Sequence, residues 1–294
     1  MAGIYRTLEK VRESTTTVLM EGESGTGKDS LAQWLHFNST RKDAPYIKID
    51  FSSLPEDLVE SELFGYERGA FTGAVNSKVG KLDLAQGGTL VLDEIASVDL
   101  SVQAKLLNVV EAKQYYRLGG TRSIELDCRI IALSGMPLAK AVELQVFRQD
   151  LFFRLNLITV RIPPLRERRD EIFPMAEFLL AQLERKYKSN SRLHPDCAAV
   201  FKHYEFPGNI RELRNVLERA LLMSSNREIT PDLLPATWQA SRTSSVTLPT
   251  LEDVERDYIS EVLKQLHGKK VKAAKVLGIS RKTLLEKRKK YGLL

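Results

Sequence analysis

Apolar residues recur in two rhythms along the chain. Between positions 18 and 162, short runs rich in branched and aromatic residues, at 17–20, 46–49, 89–92, 129–133 and 157–160, alternate with amphipathic stretches. This alternation predicts an α/β domain, with a parallel sheet whose strands are joined by crossover helices. From Pro163-Pro164 to about Trp238 no comparable strand is expected; segments 172–186, 194–203 and 210–223 show helical spacing, broken by Pro or Gly. Residues 241–250 are rich in Ser, Thr and Pro and have little to pack, which is the composition of a linker. Residues 251–294 carry three helical segments. The expected organisation is an α/β core at 1–162, a helical subdomain at 163–240, a linker at 241–250 and an all-α domain at 251–294, without an internal repeat.

Composition narrows the class. A chain of 294 residues with 43% hydrophobic content can bury a substantial core. No run approaches the roughly 20 apolar residues of a membrane span, and Met1-Ala2-Gly3-Ile4-Tyr5-Arg6 lacks the apolar centre of a signal peptide. A cytoplasmic protein with no membrane partner is therefore expected. Cys128 and Cys197 lie far apart, so buried thiols are expected rather than a disulfide framework or a zinc site.

Charge is unevenly distributed. Residues 264–294 hold eleven Lys or Arg against one acid, Glu286, whereas the preceding 263 residues hold 33 bases and 37 acids. A short basic module on a mildly acidic body points to a polyanion at one end, most simply nucleic acid.

The strongest chemical signal is Gly22-Glu23-Ser24-Gly25-Thr26-Gly27-Lys28, which follows an apolar strand and precedes a helical stretch. Glycines let backbone N–H groups wrap around phosphates, the helix N-terminus adds positive potential, and Lys28 supplies a cation for the outer phosphates. Asp29 stands where Ser or Thr usually contacts magnesium, which leaves the metal to Thr26, to water or to Asp29 itself. The strand 89–92 then ends in Asp93-Glu94, where a strand's carboxyl end meets the phosphate loop. Asp93 is expected to hold Mg2+ through water, and Glu94 to orient and activate the attacking water. Between these two motifs lies Gly69-Ala70-Phe71-Thr72-Gly73-Ala74, two small corners around a Phe and a Thr, the make-up of a loop that touches a partner.

With these residues in place the chain resembles the AAA+ P-loop ATPases, and more narrowly the bacterial enhancer-binding proteins that activate sigma-54 RNA polymerase. The resemblance rests on the phosphate loop, Glu62-Leu63-Phe64-Gly65, the 69–74 hexapeptide, Gly87-Gly88 with the strand through Asp93-Glu94-Ile95, Phe147-Arg148, Arg154-Leu155-Asn156, Pro163-Pro164-Leu165-Arg166 and Pro207-Gly208-Asn209-Ile210-Arg211-Glu212-Leu213. It implies ATP and Mg2+ as cofactors, a helical lid, and a homo-oligomer, from dimer to hexameric or heptameric ring. It implies that the hexapeptide contacts sigma-54, with Phe71 and Thr72 at the working end. Arg148 and Arg154 would act in a neighbouring subunit's site, and Arg211 would sense nucleotide from the lid. Such proteins usually keep a regulatory domain and an adenine-contacting segment upstream of the phosphate loop, but only 21 residues precede Gly22; the expectation is either a chain lacking that domain or a piece of a longer protein, with part of the adenine pocket missing.

Two positions depart from that pattern. Asp50 stands where an Asn usually hydrogen-bonds the catalytic Glu, and two facing carboxylates would repel each other. Ser134-Gly135 stands where Thr-Asn is usual, leaving one hydroxyl for the polar contact at that strand end.

In the last domain, Val271-Lys272-Ala273-Ala274-Lys275-Val276-Leu277-Gly278-Ile279-Ser280 reads as a helix, a glycine turn and a Ser N-cap, followed by a second helix ending near Tyr291-Gly292. The expectation is a helix-turn-helix in which Arg281, Lys282, Thr283 and Lys287 face outward to double-stranded DNA, while Arg288, Lys289 and Lys290 bind phosphates. This resembles the Fis-type domain, dimerising through helix 251–266. The expected function is an enhancer-bound activator that uses ATP hydrolysis to remodel the sigma-54 polymerase closed complex. A DNA-binding repressor or regulator that retains the fold with weak ATPase activity is the alternative, and a DNA-translocating or clamp-loading motor is a third.

Overall fold

A computed structural model describes residues 1–224, 228–240, 250–266 and 269–292. Expected linker residues 241–249 lie outside them. The chain divides into two compact units, Met1–Pro235 and Ala236–Leu294, so the expected α/β core and helical subdomain form one unit.

The first unit is built on five parallel strands: β1 (Val18–Glu21), β2 (Tyr46–Asp50), β3 (Thr89–Asp93), β4 (Arg129–Ser134) and β5 (Ile158–Arg161), in the order β2-β3-β4-β1-β5. Neighbouring residues on each strand bury opposite faces, as a sheet covered on both sides requires. Leu90 and Leu92 of β3 join one core with Ile130 and Ala132 of β4, while Val91, Ile131 and Leu133 join the other. The first core is closed by helices Glu56–Phe64, Leu100–Glu111 and Gln149–Leu155, the second by α1 (Ala2–Val11) and α2 (Lys28–Phe37).

Helix α1 is absent from the sequence reading, although Ile4, Leu8 and Val11 have helical spacing. It is anchored from β4: Arg129, 1% exposed, donates to the carbonyls of Arg12 at 2.7 Å and Val11 at 2.7 Å, occupying acceptors that a helix C-terminus leaves free.

After β5 the chain forms helices α3 (Ile172–Tyr187), α4 (Cys197–His203) and α5 (Asn209–Met223), each close to its expected span. A two-residue parallel pairing, Arg192–Leu193 with Glu228–Ile229, is the one addition to an otherwise helical subdomain. Both cysteines are buried and unpaired, as expected. Among the described residues no helix is long and apolar enough to cross a membrane.

In the second unit, α6 (Leu251–Gln265), α7 (Lys270–Val276) and α8 (Arg281–Lys290) enclose a small core of Ile259, Val262, Ala273, Ala274 and Leu284. Thr250 caps α6 by accepting from Asp253 N, Gly278 turns the chain at φ +65°, and Ser280 caps α8 by accepting from Thr283 N.

Candidate functional site

Strand order creates the site. Because β4 lies between β3 and β1, the carboxyl ends of three neighbouring strands present Asp93-Glu94, Ser134-Gly135 and the phosphate loop side by side. The Gly22 amide donates to the Ser134 carbonyl at 3.1 Å, fixing the start of the loop to the middle strand. Gly25 and Gly27 take φ values of +78° and +99°, a left-handed path that turns the backbone into the start of α2. Thr26 is buried and donates its hydroxyl to the Glu23 carbonyl at 2.8 Å, so it serves the loop's own shape.

Lys28 folds over the loop, donating to the carbonyls of Gly22 at 2.6 Å and Glu23 at 3.1 Å. Burial lowers its pKa, and Glu94, 3.9 Å away, acts in the opposite direction. Glu94 itself stands at φ +52°, a left-handed position that costs a non-glycine residue about 1 kcal/mol or more. Its Oε2 accepts from the Gly135 amide at 3.0 Å.

Two expectations are corrected here. Asp50 does not oppose Glu94: its Oδ1 accepts from the Ser52 amide at 3.0 Å and the Ser52 hydroxyl at 2.7 Å, capping the short turn after β2. A carboxylate that finds donors in its own turn has no reason to face a second carboxylate. The Ser134 hydroxyl likewise donates to the Met136 carbonyl and closes its own turn, so the polar contact to Glu94 comes from the next residue's backbone.

The acids at the metal position share a cation. Lys48 Nζ of β2 lies 2.9 Å from Asp29 Oδ1 and 2.8 Å from Asp93 Oδ2. Burial works against its charge, but its pairing with Asp93 and Asp29 outweighs it and raises its pKa. Two hard carboxylates converging on one cation suit Mg2+, which binds through one or two carboxylates plus substrate phosphates. Among the described residues no cluster of three or more His, Cys, Asp or Glu side chains could hold a metal alone.

The lid is stapled to the loop. The Ile210 amide donates to the Gly25 carbonyl at 2.9 Å, Asn209 Nδ2 to the Ser24 carbonyl at 3.0 Å, and Arg211 Nη1 to the Ser24 hydroxyl at 2.7 Å. Asn209 is fully buried, and its Oδ1 accepts from the Leu165 amide at 2.7 Å. Arg166 grips both oxygens of Glu23, at 2.8 and 2.6 Å, and this hydrogen bonding pulls the Glu23 pKa down to about 2. Arg168 donates to the Thr26 carbonyl at 2.9 Å. The loop carbonyl of Gly208 comes so close that a Cβ on Gly25 would lie 2.4 Å from it.

A cleft of about 670 Å³ opens beside the loop, lined on one side by Lys28, Asp93 and Glu94 and on the other by Tyr5 of α1 and Met175 and Phe178 of α3. The apolar side suits a purine base. Tyr5 of α1 brings a residue from upstream of Gly22 to this apolar side. Sequence reasoning missed Lys48, Asn209, Arg166, Arg168, Tyr5, Met175 and Phe178; Asn209 and Arg166 sit inside motifs already singled out, but their partners are remote in sequence.

Arg148 and Arg154 do not line this cleft. Arg148 pairs with Asp150 at 2.7 Å and Arg154 pairs with Glu111, both on the surface. Buried Gln103 positions the turn before them, donating to the carbonyls of Val98 at 2.6 Å and Val146 at 3.0 Å and accepting from the Arg148 amide at 2.8 Å.

The hexapeptide is an ordered loop with an exposed tip. Gly69 and Gly73 take φ values of +82° and +108°, and the Gly69 amide donates to the Ala74 carbonyl at 2.8 Å, closing the loop's neck. Ala74 is buried, Phe71 is 48% exposed and Thr72 is exposed. Phe71 meets Tyr66 edge-on, with centroids 5.0 Å apart. The neck rests on a second loop: the Glu67 amide donates to Leu118 O at 3.0 Å, Arg117 bridges Glu67 at 3.1 Å and Asp83 at 2.8 Å, and a Cβ on Gly119 would meet Ala70 at 2.8 Å.

In the second unit Arg281, Lys282 and Lys289 are exposed. Thr283 and Lys287, expected to face outward, are half-buried and engaged within the domain. The Thr283 hydroxyl lies 2.8 Å from the capping Ser280 hydroxyl, and Lys287 pairs with Glu255 at 2.5 Å. Lys290 pairs with Glu252 of the same helix α6. Arg288 is half-buried.

The chain matches the sigma-54 interaction domain over residues 1–161, an AAA+ ATPase lid domain over 166–250 and the Fis family of bacterial regulatory proteins over 250–291. It is 40% identical over its whole length to the regulatory protein AtoC of Escherichia coli, of which it covers 66%. It is 38% identical over its whole length to the nitrogen fixation protein VnfA of Azotobacter vinelandii, of which it covers 58%. The chain thus spans about two thirds or less of the length of these relatives. Among solved structures it resembles NtrX from Brucella abortus in complex with ATP, at 30% identity and a TM-score of 0.74, covering 99% of this chain and 67% of that one. The chain belongs to the sigma-54 interaction domain family, with an AAA+ fold, a helical lid and a Fis-type helix-turn-helix.

Proposed function

We propose that this chain is a cytoplasmic, sigma-54-dependent transcriptional activator that hydrolyses ATP to remodel the sigma-54 RNA polymerase closed complex. The observation that carries the reading is an exposed Phe71-Thr72 tip on a closed loop in the same compact unit as the phosphate loop, Asp93 and Glu94. Gly22 through Lys28 bind the phosphates, with Asp29 at the start of the following helix. Asp93 holds Mg2+ through water, and Glu94 orients the attacking water. Magnesium neutralises charge on the transferring phosphoryl group when bound. Arg211 reads nucleotide state from the lid through Ser24.

Arg148 and Arg154 complete a neighbouring subunit's site in a hexameric or heptameric ring. Their exposure, away from their own cleft, supports this assignment. The second unit binds an upstream DNA element as a dimer. Leu251, Val254 and Tyr258, at helical spacing along α6, are 90%, 50% and 56% exposed, an apolar stripe suited to a second copy. Arg281 and Lys282 present charge at the N-terminal end of α8, where base edges would be read, and Lys289 binds phosphate. Lys287 and Lys290 reach phosphate by exchanging their Glu255 and Glu252 partners.

Transcription in vitro from a sigma-54 promoter tests the reading, run with ATP and with a non-hydrolysable analogue. Open complexes only with ATP support it. Site-specific DNA binding without any ATP-dependent activation would instead favour a regulator that keeps the fold with weak hydrolysis.

A further inference from the structure

Two lysines serve the three acids at the phosphate site. Lys28 lies 3.9 Å from Glu94 and spends its hydrogen bonds on the Gly22 and Glu23 carbonyls. Lys48 lies within 2.9 Å of both Asp29 and Asp93. It reaches them from β2, whose register sets Lys48 beside Val91, two residues before Asp93. A charged side chain between two isoleucines of a strand costs desolvation, which the two carboxylates offset. The triad spans three elements, α2, β2 and β3, and its carboxylates are those the site offers to a divalent ion.

We propose that Lys48 is a built-in counter-cation which holds Asp29 and Asp93 together in the nucleotide-free chain and competes with Mg2+ for the same carboxylates. The inference rests on reading this cleft as a nucleotide site. A cation occupying those oxygens stabilises the empty site against repulsion between two acids. It also makes the divalent ion displace an ion pair, which weakens metal binding in the absence of phosphates. The ammonium then remains near the phosphates, where its charge favours nucleotide even without metal. Lys48 is thus a positioning residue with two effects of opposite sign, strengthening metal-free nucleotide binding and weakening metal binding.

Opposite signs make the idea testable by titration calorimetry of ADP into the full chain, in EDTA and across a MgCl2 series, with circular dichroism to check folding. Lys48→Gln keeps a hydrogen-bond donor, on a side chain one atom shorter, but removes the charge; Lys48→Arg keeps the charge. The expected result for Lys48→Gln is an about five- to tenfold weaker ADP affinity in EDTA, together with a Mg2+ half-saturation lowered by a similar factor at saturating ADP. Lys48→Arg should stay near the parent on both axes. Parent-like behaviour of Lys48→Gln on both axes overturns the inference, as does a fall in both affinities together, the mark of a merely structural lysine. A parent chain that binds no ADP under either condition overturns the nucleotide-site reading and the inference with it.

Discussion

Glu94 accepts a hydrogen bond from the Gly135 amide at 3.0 Å, and glycine at position 135 leaves the carboxylate room to do so: a Cβ there would lie 2.9 Å from the same oxygen. The backbone thereby supplies the hold on Glu94 that Asp50, turned to Ser52, does not. Gly135→Ala is expected to displace the carboxylate while leaving phosphate binding intact. ATPase kinetics should show kcat falling about tenfold or more with little change in KM, since alignment of the attacking water is lost and ground-state binding is not. Unchanged kcat would mean that Glu94 tolerates the shift.

The exposed tip of the hexapeptide makes few contacts within its own chain beyond Phe71 against Tyr66. Thr72→Ala should therefore abolish open-complex formation in vitro while ATPase activity largely survives, and Phe71→Ala should do the same. Equal loss of both activities would show that the tip supports the fold rather than a partner.

Legibility in the sequence followed range. Apolar runs located all five strands of the central sheet to within a residue or two, because strands covered on both faces are predominantly apolar. The phosphate loop and Asp93-Glu94 were legible because their chemistry is written in contiguous residues. Lys48 was not: along β2 it is a lone base between two isoleucines, and only the β2-β3 register brings it to Asp93. Arg166 on Glu23 and Arg129 on the end of α1 span 143 and more than 115 residues, a separation that no local pattern encodes. In α8 basic composition was clear, but the acids of α6 that claim Lys287 and Lys290 were not.

The surface arginines give a subunit-mixing prediction. Arg148→Ala should lower ATPase activity by about a thousandfold, the scale of a lost arginine finger, without weakening ADP binding. Mixing it with Lys28→Ala should restore part of the activity, because some interfaces then pair an intact arginine with an intact phosphate loop. No recovery on mixing would assign Arg148 to its own subunit's structure.

The Arg166 to Glu23 clasp should be visible in the pH dependence of stability. Glu23 titrates at about 2 in the folded chain against an ordinary 4.5, chiefly through its hydrogen bonds from Arg166. A depressed carboxylate pKa contributes stability above the ordinary value and loses it as pH falls toward the folded one. Arg166→Gln should therefore lower Tm by a constant, modest amount above about pH 4.5, and the gap to the parent should narrow as the pH is lowered further. The modest size follows from exposure, since both side chains remain about a third or more open to solvent. A gap independent of pH would mean that Arg166 acts through packing alone.

Separation of exposed from tethered bases on α8 distinguishes DNA contact from domain stability. Arg281→Ala and Lys282→Ala remove exposed charges that pair with no acid among the described residues. Each should weaken binding to an upstream DNA site, and the slope of log K against log salt should shrink by about one for a phosphate contact. If Arg281 reads a base instead, its loss should also relax sequence preference, at a cost of about 1–3 kcal/mol. Lys287→Ala breaks the 2.5 Å pair to Glu255 and should lower the melting temperature of the second unit as well as DNA affinity. Fluorescence anisotropy over a salt series, beside thermal melts, separates the two. Equal melting losses for all three variants would show that α8 bases serve the fold, and would move the DNA contact away from Arg281 and Lys282.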